Sequence, residues 1–560
     1  MSPAASVKAQ PTVAPESRPA QPGPSFQDLH ARLRGNLHNY VEYSSASGRI
    51  KRPFAAVYDD IVGCLETFRA VPGLDQKPVC LLSGAPSYKW LLGALGAMFS
   101  GLRLIVLPES TPMALMKGAM VIDDVGVALV DKQLAATLPP GSYGVRYLND
   151  MPPSNADATG RVVKDPPAFC CRITAFTSGT TSATALKGYE LNPQSILAFG
   201  EHVIDAFHLR ADDRWVVCHS FSHIFHFEYV LVCLWYGLNV VLCTPAEVVA
   251  RLERLGPSIM VSIPGLYYEL DRRMQTLLRE RQLRYGVFRL CMALRDWLPL
   301  ALQRKIGQIV FLPAVLPLVR RPKGLIVGAA PSSSDVKVRL NLMGLPIFEA
   351  YGSSEAGMVA CNLPGANRRG VVGQPWPGVE VRLSPERVLQ VRPNPPRTFG
   401  YINVSAEQAI STFLPDGWVD TGDIASIDRD GFIAIDGRQK EILITDRAEK
   451  VNVARLEVAL EALEPIARAV VVGERRPFVV ALLNVRPGFS DEEARAEVER
   501  LNHALPSHER IRRTAIIGER FAEDPRYVTT SGKLRRSAIV EGFARAIDAL
   551  YAPSDGLPRP

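Results

Sequence analysis

The sequence has no uninterrupted apolar run as long as a membrane-spanning helix requires. Its most apolar stretches, near 90–108 and 229–243, are interrupted by residues such as Arg103 and Asn239, whereas a spanning helix needs about 20 apolar residues. The first 26 residues contain six prolines and no apolar segment of the kind found in signal peptides, so we expect a disordered tail there. These absences favour a cytoplasmic protein.

The sequence also lacks a strong charge bias and any metal-binding spacing of cysteines. Its 64 Lys and Arg residues against 57 Asp and Glu residues give a net charge of +7 over 560 residues. That mild excess fits a phosphate-bearing ligand such as a nucleotide, and we expect no nucleic-acid partner. The nine cysteines show no metal-ligand spacing, which indicates reduced, buried thiols.

What the sequence does contain is an alternation of strand-like and helix-like segments. Short apolar runs such as Val79–Ser83, Val127–Val130 and Gly324–Val327 are separated by helix-length stretches, a pattern typical of parallel sheets with helices on both faces. Beyond residue 370 the runs become short and rich in turn signals, and from about residue 437 helices and strands mix again. The length and these changes indicate several domains.

Residues 271–323 form a distinctly basic insertion with twelve Lys or Arg residues and three acidic residues. We favour the interpretation that this segment forms helices with a solvated basic face. The alternative is a peripheral contact with an anionic membrane surface, at the inner face of a membrane.

The first motif with chemical content is Phe176–Ser182, followed by Lys187. Small hydroxylated residues around a glycine let backbone N–H groups and hydroxyls surround phosphate oxygens, and a nearby lysine adds positive charge. The spacing G-x-x-x-x-G-K-[ST] is absent, so this is not the phosphate loop of that class. The alternative is an ordinary surface turn rich in Ser and Thr.

A second motif, Tyr351–Glu355, combines an aromatic ring, hydroxyl groups and a carboxylate. Such a ring can stack on a base, a hydroxyl can meet a phosphate and a carboxylate can hold Mg²⁺. The alternative is the start of a helix, with Ser353 or Ser354 as its N-cap.

Two further motifs lie towards the end of the sequence. Asp423, followed by Arg438, has the groups needed to bind the hydroxyls of a ribose; the alternatives are a turn residue and a surface cation. Ser531-Gly532 predicts a turn with Lys533 at its tip, and the alternative there is a basic, flexible tail.

These four motifs, in this order and at these separations, resemble those of the adenylate-forming superfamily, which includes acyl-CoA synthetases, aryl-acid ligases and peptide-synthetase adenylation domains. Three supporting segments lie between them, namely Ser222–Phe225, Gly328–Pro331 and Gly373–Gly378. The resemblance runs from about residue 53 to residue 545. Within it, the basic insertion is similar to the corresponding region of long-chain fatty acyl-CoA synthetases.

The resemblance implies an α/β fold. A large N-terminal domain would contain two doubly wound sheet subdomains and a distorted β-barrel subdomain, and a small, mobile α+β C-terminal domain would follow it. The expected boundaries are a tail over 1–26, the N-terminal domain over 27–437, a hinge over 438–440, the C-terminal domain over 441–551 and a second tail over 552–560.

The resemblance also implies a reaction in two steps. A carboxylate attacks the α-phosphorus of ATP in the presence of Mg²⁺ to give acyl-AMP and pyrophosphate, and a thiol then displaces AMP. Coenzyme A is the expected thiol, with the phosphopantetheine of an acyl carrier protein as the alternative. A fatty acid is the expected acid, with an aryl acid as the alternative.

The same resemblance assigns roles to individual residues. The residues expected to hold the β- and γ-phosphates are Thr177, Ser178, Gly179, Thr180, Thr181 and Lys187. The rest of the nucleotide would meet Gly328, Ala329, Ala330, Tyr351, Gly352 and Ser354, and its ribose would meet Asp423 and Arg438. The expected catalytic residues are Lys533, which would bridge the carboxylate and the α-phosphate, Glu355, which would take Mg²⁺, Thr180, and His223, which would line the acyl pocket. Lys440 is the expected hinge residue.

The chain departs from the family's pattern at Ser354, where the family mostly has Thr, and in three further places. Ser182 stands where the phosphate loop usually has glycine, and His226 stands where a glycine usually follows His223. After the hinge, Asp446–Val453 replaces a Gly-Gly loop that lines the thiol channel, which restricts the backbone and adds charge. Adenylation is therefore the better supported half of the expected reaction.

Two functions of other classes remain as alternatives. One is a kinase-like or NTP-hydrolysing enzyme that uses Thr177–Lys187 and releases phosphate rather than pyrophosphate. The other is a degenerate homologue that binds a ligand or a partner without catalysis. The presence of Glu355, Asp423, Arg438 and Lys533 together argues against the second.

Overall fold

The structure, a computed structural model, describes residues 26–46, 48–108, 111, 113–122, 124–138, 141, 143–151, 169–177, 187–295, 297–315, 322–330, 332, 334–402, 409–439, 442–447, 449–518, 521, 524, 526–528 and 534–552. Within these ranges, no helix combines the length and apolar character needed to cross a membrane. All nine cysteines lie within them, and each is a free thiol, five of them buried.

The strands are numbered in chain order. They are β1 (Tyr40–Ser45), β2 (Gly48–Pro53), β3 (Val79–Ser83), β4 (Arg103–Leu107), β5 (Val127–Val130), β6 (Gly144–Tyr147), β7 (Ile173–Thr177), β8 (Lys187–Glu190), β9 (Arg214–Val217), β10 (Asn239–Leu242), β11 (Ile259–Ser262), β12 (Gly324–Val327), β13 (Ile347–Ser353), β14 (Gly357–Cys361), β15 (Gln374–Pro375), β16 (Val379–Leu383), β17 (Val388–Pro393), β18 (Val419–Ile427), β19 (Ile433–Arg438), β20 (Ile442–Ile444), β21 (Lys450–Asn452), β22 (Ile466–Val472), β23 (Val480–Val485) and β24 (Thr514–Ile516).

The helices are identified by their residues. The α-helices are Leu29–Arg34, Phe54–Arg69, Tyr88–Phe99, Met113–Ile122, Lys132–Ala135, Pro193–Phe207, Ile224–Tyr236, Pro245–Leu255, Pro264–Arg279, Gln282–Ala293, Leu300–Ile306, Leu312–Val315, Ser334–Leu342, Val453–Glu461, Asp491–His503, Arg536–Gly542 and Ala544–Tyr551. A π-helical turn spans Gly307–Phe311.

The first sheet has six strands in the order β6-β5-β3-β4-β7-β8. All neighbours are parallel except β8, which runs antiparallel to β7. Strands β3 and β5 are buried along their whole length, and the helices Phe54–Arg69 and Tyr88–Phe99 contribute Phe68 and Trp90 to the core. The predicted strands Val79–Ser83 and Val127–Val130 are confirmed residue for residue.

The second sheet has nine strands in the order β15-β14-β13-β12-β11-β9-β10-β1-β2. Its central strands are parallel, whereas β2, β14 and β15 add antiparallel edges. Because parallel strands share a direction, the carboxyl ends of β9, β11, β12 and β13 meet at one edge, where ligands bind in open α/β sheets. The alternating sequence pattern thus predicted the parallel sheets and not their antiparallel edges.

The remaining sheets are smaller. Strands β16 to β19 form a four-stranded antiparallel sheet, at the position where the barrel-like subdomain was expected. After it, β22, β23 and β24 form a three-stranded sheet whose core is shared with the helices Val453–Glu461 and Asp491–His503. The second of these helices begins with a capping box between Ser490 and Glu493, a strong signal for the start of a helix. This is the expected small α+β unit.

One residue at the end of the expected N-terminal tail differs from expectation. Phe26, the last residue of the expected tail, is buried with its ring 5.4 Å from that of Trp235. Residues 1–25 and 553–560 lie outside the described part of the chain. The prolines that suggested the first tail are among residues 1–25. The domain boundaries stay predictions.

Candidate active site

The hairpin of β13 and β14 carries the second motif. Ser353 ends β13, and its Oγ accepts a hydrogen bond from Ala356 N at 3.1 Å, which closes the turn. A Cβ at Gly352 would come within 2.4 Å of Gly357 O, so only glycine fits this tight crossing. Because the motif is a strand and a turn, the alternative of a helix start is wrong.

Asp423 is the centre of a first polar cluster. It lies in β18, is 5% exposed, and is paired in register with Arg438 of β19. Asp423 Oδ1 lies 3.2 Å from Arg438 Nε, and Oδ2 accepts a hydrogen bond from the Tyr351 hydroxyl. The strand pairing and the hairpin therefore bring three predicted nucleotide-binding residues together.

The carboxylate also sets the state of the Tyr351 phenol. Burial raises the pKa of Tyr351 well above its ordinary value, and the charge and hydrogen bond of Asp423 raise it further, against the opposing effect of Arg438. Tyr351 is therefore a neutral hydrogen-bond donor at physiological pH. Arg438 is about half exposed, so a ligand can reach its guanidinium from solvent.

Glu355 belongs to a second polar cluster. The Tyr401 hydroxyl donates to Glu355 Oε1 at 2.7 Å, and Lys187 Nζ lies 5.1 Å from the centroid of the Tyr401 ring, within range of a cation–π interaction. Burial and the charge of Glu355 raise the pKa of Tyr401, which keeps the phenol protonated. Glu355 and Lys187 thus contact the same tyrosine.

The predicted phosphate loop begins and ends on a β-hairpin. Thr177 at the end of β7 pairs directly with Lys187 at the start of β8, and a bridge between Tyr189 and Tyr401 joins β8 to the segment of the second cluster. The loop residues that lie outside the described ranges are Ser178, Gly179, Thr180, Thr181 and Ser182. Their phosphate contacts stay predictions.

Ser354 lies against β8. Its hydroxyl is hydrogen-bonded to the phenol of Tyr189, whose pKa burial raises to about 12 against the lowering effects of Arg397 and of that bond. Arg397 Nε in turn donates to the carbonyl oxygen of Ser354 at 3.0 Å. The hydroxyl predicted to meet the α-phosphate is therefore next to the Lys187 hairpin.

The expected adenine-side loop follows β12. Gly328 N donates to Ser262 O at 3.1 Å, and a Cβ at Gly328 would come within 3.1 Å of Ala350 O, in the residue before Tyr351. Ala329 has a φ of 67° and, like Ala330, is exposed. The structure therefore brings the loop beside Tyr351, and its contact with adenine stays a prediction.

His223 lies directly before the helix Ile224–Tyr236 and is half-buried. Two further histidines lie close by: the rings of His219 and His226 are 5.0 Å apart, and His219 Nε2 is hydrogen-bonded to Ser262 Oγ at 2.6 Å. Burial lowers the pKa of His219 to about 4 and lowers that of His226 well below its ordinary value. Neutral imidazoles therefore lie beside the residue expected to line the acyl pocket.

For the C-terminal residues of the expected site, the structure describes only residues on either side of them in the chain. Lys440 and Lys533 both lie outside the described ranges, so their roles stay predictions. Val528 and Leu534, on either side of the Lys533 segment, form an antiparallel bridge. Within the charged stretch after the hinge, Lys450–Asn452 forms β21, which pairs antiparallel with β20.

The residues present fit ATP and Mg²⁺. Among the described residues, no group of three or more His, Cys, Asp or Glu side chains could hold a metal ion by itself. Mg²⁺ is usually held by one or two carboxylates together with phosphates of the substrate, and Glu355 beside the Thr177–Lys187 hairpin supplies one such carboxylate. Arg438 is half exposed beside the buried Asp423, and this pair of groups suits the hydroxyls of a ribose.

Two residues of the site were missed from the sequence. Tyr401 contacts Glu355 and Lys187, and Arg397 contacts Ser354, yet neither lies in a motif. The partner of Arg397 is Glu228, and for that residue a local signal existed. Glu228 is the single acidic residue of the apolar helix Ile224–Tyr236, and a buried carboxylate requires a partner.

Comparison with known protein families gives two matches. The model described as AMP-binding enzyme matches residues 66–413, and that of the AMP-binding enzyme C-terminal domain matches residues 440–555. Together they include the first and second motifs, the basic insertion and the Lys533 segment, whereas Asp423 and Arg438 lie between the two matched ranges.

Two characterised relatives and one solved structure illustrate the similarity. The chain is 30% identical over 254 residues to the long-chain-fatty-acid–CoA ligase FadD15 of Mycobacterium bovis, an alignment that covers 41% of this chain and 42% of that protein. It is 24% identical over 520 residues to the long-chain-fatty-acid–CoA ligase ACSBG2 of Gallus gallus, covering 82% and 67%. The anthranilate CoA ligase AuaEII, solved with anthranoyl-AMP, matches with a TM-score of 0.69 at 17% identity, covering 94% and 99%, which shows the shared fold.

Proposed function

The chain belongs to the AMP-binding enzyme family, and we propose that it activates a carboxylic acid with ATP and then transfers the acyl group to a thiol. The observation that carries this proposal is the double use of the β13–β14 hairpin. Its strand carries Tyr351, which donates a hydrogen bond to Asp423 beside Arg438. Its turn carries Glu355, which accepts a hydrogen bond from Tyr401 beside Lys187. The proposed ribose site and the proposed phosphate site would thus share one element.

In the first half-reaction, a carboxylate oxygen of the acid forms a bond to the α-phosphorus of ATP. The bond from that phosphorus to the β-bridging oxygen breaks, and pyrophosphate leaves with the electron pair. Asp423 and Arg438 hold the ribose, while Thr177, Lys187 and the loop between them hold the outer phosphates. Such transfers depend mainly on positioning and charge neutralisation. Mg²⁺ held by Glu355 would neutralise phosphate charge, and Lys533 would neutralise the reacting oxygens.

In the second half-reaction, a thiol sulfur attacks the acyl carbonyl carbon. The bond from that carbon to the phosphate oxygen breaks, AMP leaves and the thiol proton is released to solvent. Coenzyme A is the proposed thiol. A carrier-protein phosphopantetheine is the alternative.

The proposed acid is a long-chain fatty acid. Support comes from the two relatives, both named as long-chain-fatty-acid–CoA ligases, and from the basic insertion, which resembles the corresponding region of long-chain fatty acyl-CoA synthetases. An aryl acid is the second candidate, because the neighbouring rings of His219 and His226, tilted at 51° to each other, offer a polar, aromatic wall next to His223.

The test is a hydroxylamine-trapping screen of the full chain with ATP, Mg²⁺ and a panel of fatty and aryl acids, followed by addition of coenzyme A or carrier protein. We expect acid-dependent release of AMP and pyrophosphate. Release of ADP and phosphate would instead support the kinase-like alternative. No acid-dependent product with any acid would reject the enzyme and leave a binding protein.

The basic insertion also has an exposed apolar face, for which we propose a lipid partner. On the helix Gln282–Ala293 and just after it, five large apolar side chains point away from the core. This apolar stripe consists of Leu283, Val287, Leu290, Leu294 and Trp297, with exposures of 90%, 46%, 60%, 44% and 86%. The first four recur at spacings of three and four residues, which places them on one helix face. Phe288, by contrast, is buried in the core.

Charge selects the partner of the apolar stripe. Residues 281–295 contain four arginines and no acidic residue. An in-plane helix with an apolar face and flanking arginines suits an anionic lipid surface, because apolar side chains enter the headgroup boundary while guanidinium groups meet lipid phosphates. The proposed partner is therefore an anionic membrane.

Vesicle binding of the full chain tests this partner. We expect binding to phosphatidylglycerol vesicles with a blue shift of Trp297 fluorescence, and weaker binding at high salt and to phosphatidylcholine vesicles. Leu283→Ser/Leu290→Ser should abolish binding, whereas Leu37→Ser/Ile410→Ser, at similarly exposed positions elsewhere, should preserve it. Equal binding of the two double variants, or a stripe-dependent dimer in place of vesicle binding, would reject the proposal.

A further inference from the structure

Glu228 and Arg397 form an ion pair that is almost fully buried. Their side chains are 2% and 5% exposed, and Arg397 Nη1 and Nη2 donate to the two carboxylate oxygens of Glu228 at 2.9 and 2.6 Å. Burial lowers the pKa of Arg397, but the charge and hydrogen bonds of Glu228 outweigh it and raise the pKa above its ordinary value. Arg397 is therefore charged inside the protein.

A third donor of this guanidinium reaches the candidate active site. Arg397 Nε donates to Ser354 O at 3.0 Å, in the residue before Glu355. Arg397 Cδ also lies 3.2 Å from the position that a Cβ of Gly357 would occupy, so the missing side chain lets the arginine approach. One side chain thus contacts the turn at its beginning and at its end.

The other partner, Glu228, belongs to the helix that follows His223, the residue expected to line the acyl pocket. Glu228 lies in Ile224–Tyr236, directly after His223, and the Phe225 ring of the same helix lies 4.2 Å from Arg397 Cζ. The ion pair therefore joins this helix to the turn that holds Ser354 and Glu355.

Stability alone does not account for such a pair. Apolar residues of similar volume are often as stable as a buried ion pair, whereas removal of one partner leaves an uncompensated buried charge. A charged pair at the junction of three chain segments instead gives directional contacts, which apolar packing cannot give.

We propose that Glu228 and Arg397 are positioning residues for the adenylation step. They hold the Ser354 backbone so that the Ser354 hydroxyl and the Glu355 carboxylate are presented to the phosphates of ATP. They also couple this turn to the helix beside the acid. The inference rests on the proposed function, and neither residue touches the reacting atoms.

The test measures both half-reactions in single variants. Arg397→Lys keeps the charge and loses the fork and the Nε donor, while Glu228→Gln keeps the shape and loses the charge. We expect each to lower kcat for acyl-AMP formation about 10²-fold, the size of effect that a small misplacement produces. KM for ATP should change little, because Asp423 and Arg438 do not contact the pair. Transfer from supplied acyl-AMP should be retained.

Two controls separate positioning from folding. Glu42 and Arg214 form a largely buried ion pair at 2.8 Å, at the amino end of β9 and away from the site, so Glu42→Gln should leave kcat unchanged. Glu228→Met/Arg397→Met removes both charges and should fold about as stably as the wild type. A positioning role predicts that kcat stays low in this double variant, and a structural role predicts that kcat recovers.

Recovery of kcat in the double variant, or equal loss in both half-reactions, would overturn the inference. If the wild type formed no acyl-AMP, the proposed function would fail instead, and hydrogen–deuterium exchange at residues 353–357 would decide the role of the pair. Faster exchange in Arg397→Lys than in Glu42→Gln would support it, and equal exchange would reject it.

Discussion

The candidate nucleotide site and the apolar stripe differ in how their functional side chains are held. In the site, Asp423, Glu355 and Lys187 each contact another side chain of the protein. In the stripe, Leu283 and Trp297 are almost fully exposed, and no packing on the described part of the chain covers them.

This difference separates two kinds of functional surface. A site whose polar groups already hold one another loses little conformational freedom when a ligand binds, which favours catalysis. An exposed apolar surface gains free energy only when another surface removes it from water. Substitutions in the site should therefore change the rates of the half-reactions. Substitutions in the stripe should change binding to membranes and leave the reaction rates and folding unchanged.

The largest effect should follow from Lys533→Ala, which removes the cation expected to complete the site from the C-terminal domain. Acyl-AMP formation should fall about 10²- to 10³-fold, as when one stabilising donor is lost from an active site. Transfer from supplied acyl-AMP should be spared. Rapid-quench assays of each half-reaction measure this, and equal loss in both would remove Lys533 from its assigned role.

Substitution of Asp423 or of Tyr351, which share a hydrogen bond, should give a smaller effect, and the two effects should differ in size. Asp423→Asn should raise KM for ATP about 10- to 100-fold, the range for a lost hydrogen bond to a charged group. Tyr351→Phe keeps the ring and removes only the donor to Asp423, so its effect on KM should be smaller. Steady-state kinetics with ATP as the varied substrate test this order, and the reverse order would contradict the ribose assignment.

The histidines beside the site should give a pH dependence of stability. Because burial lowers the pKa of His219 to about 4 and that of His226 also, the unfolded chain binds more protons than the folded one between pH 6.5 and about 4. Stability should therefore fall as pH drops through this window. Urea unfolding should show a weaker pH dependence in His219→Gln, whereas His38→Gln, at an exposed residue, should match the wild type.

The smallest effect should come from the apolar stripe. Leu290→Ser should change the free energy of unfolding by no more than about 0.5 kcal/mol, as for other surface substitutions. Phe288→Ala in the same helix should cost about 3–5 kcal/mol, because that ring is buried. A large loss for Leu290→Ser would show that the stripe is part of the core and would end the comparison.

Local patterns explain which elements could be predicted. Val79–Ser83 and Gly324–Val327 are short apolar runs buried on both faces, so composition alone identified them as strands. Tyr351–Glu355 was open to two interpretations, because a serine before a glutamate suits a helix N-cap as well as a turn. Only the pairing of β13 with β14 decided between them.

The sequence by itself determined the parallel α/β architecture, the family and most of the residue types of the site, because apolar periodicity and motif spacing are local properties of the chain. Tertiary structure alone decided that Tyr401 holds Glu355 beside Lys187, that Arg397 ties Ser354 to Glu228, and that Leu283 and Leu290 face solvent while Phe288 does not. These partners lie far apart in sequence or differ only in which helix face is covered. Charge pairing and burial depend on where the folded chain places each group, and no local pattern contains that information.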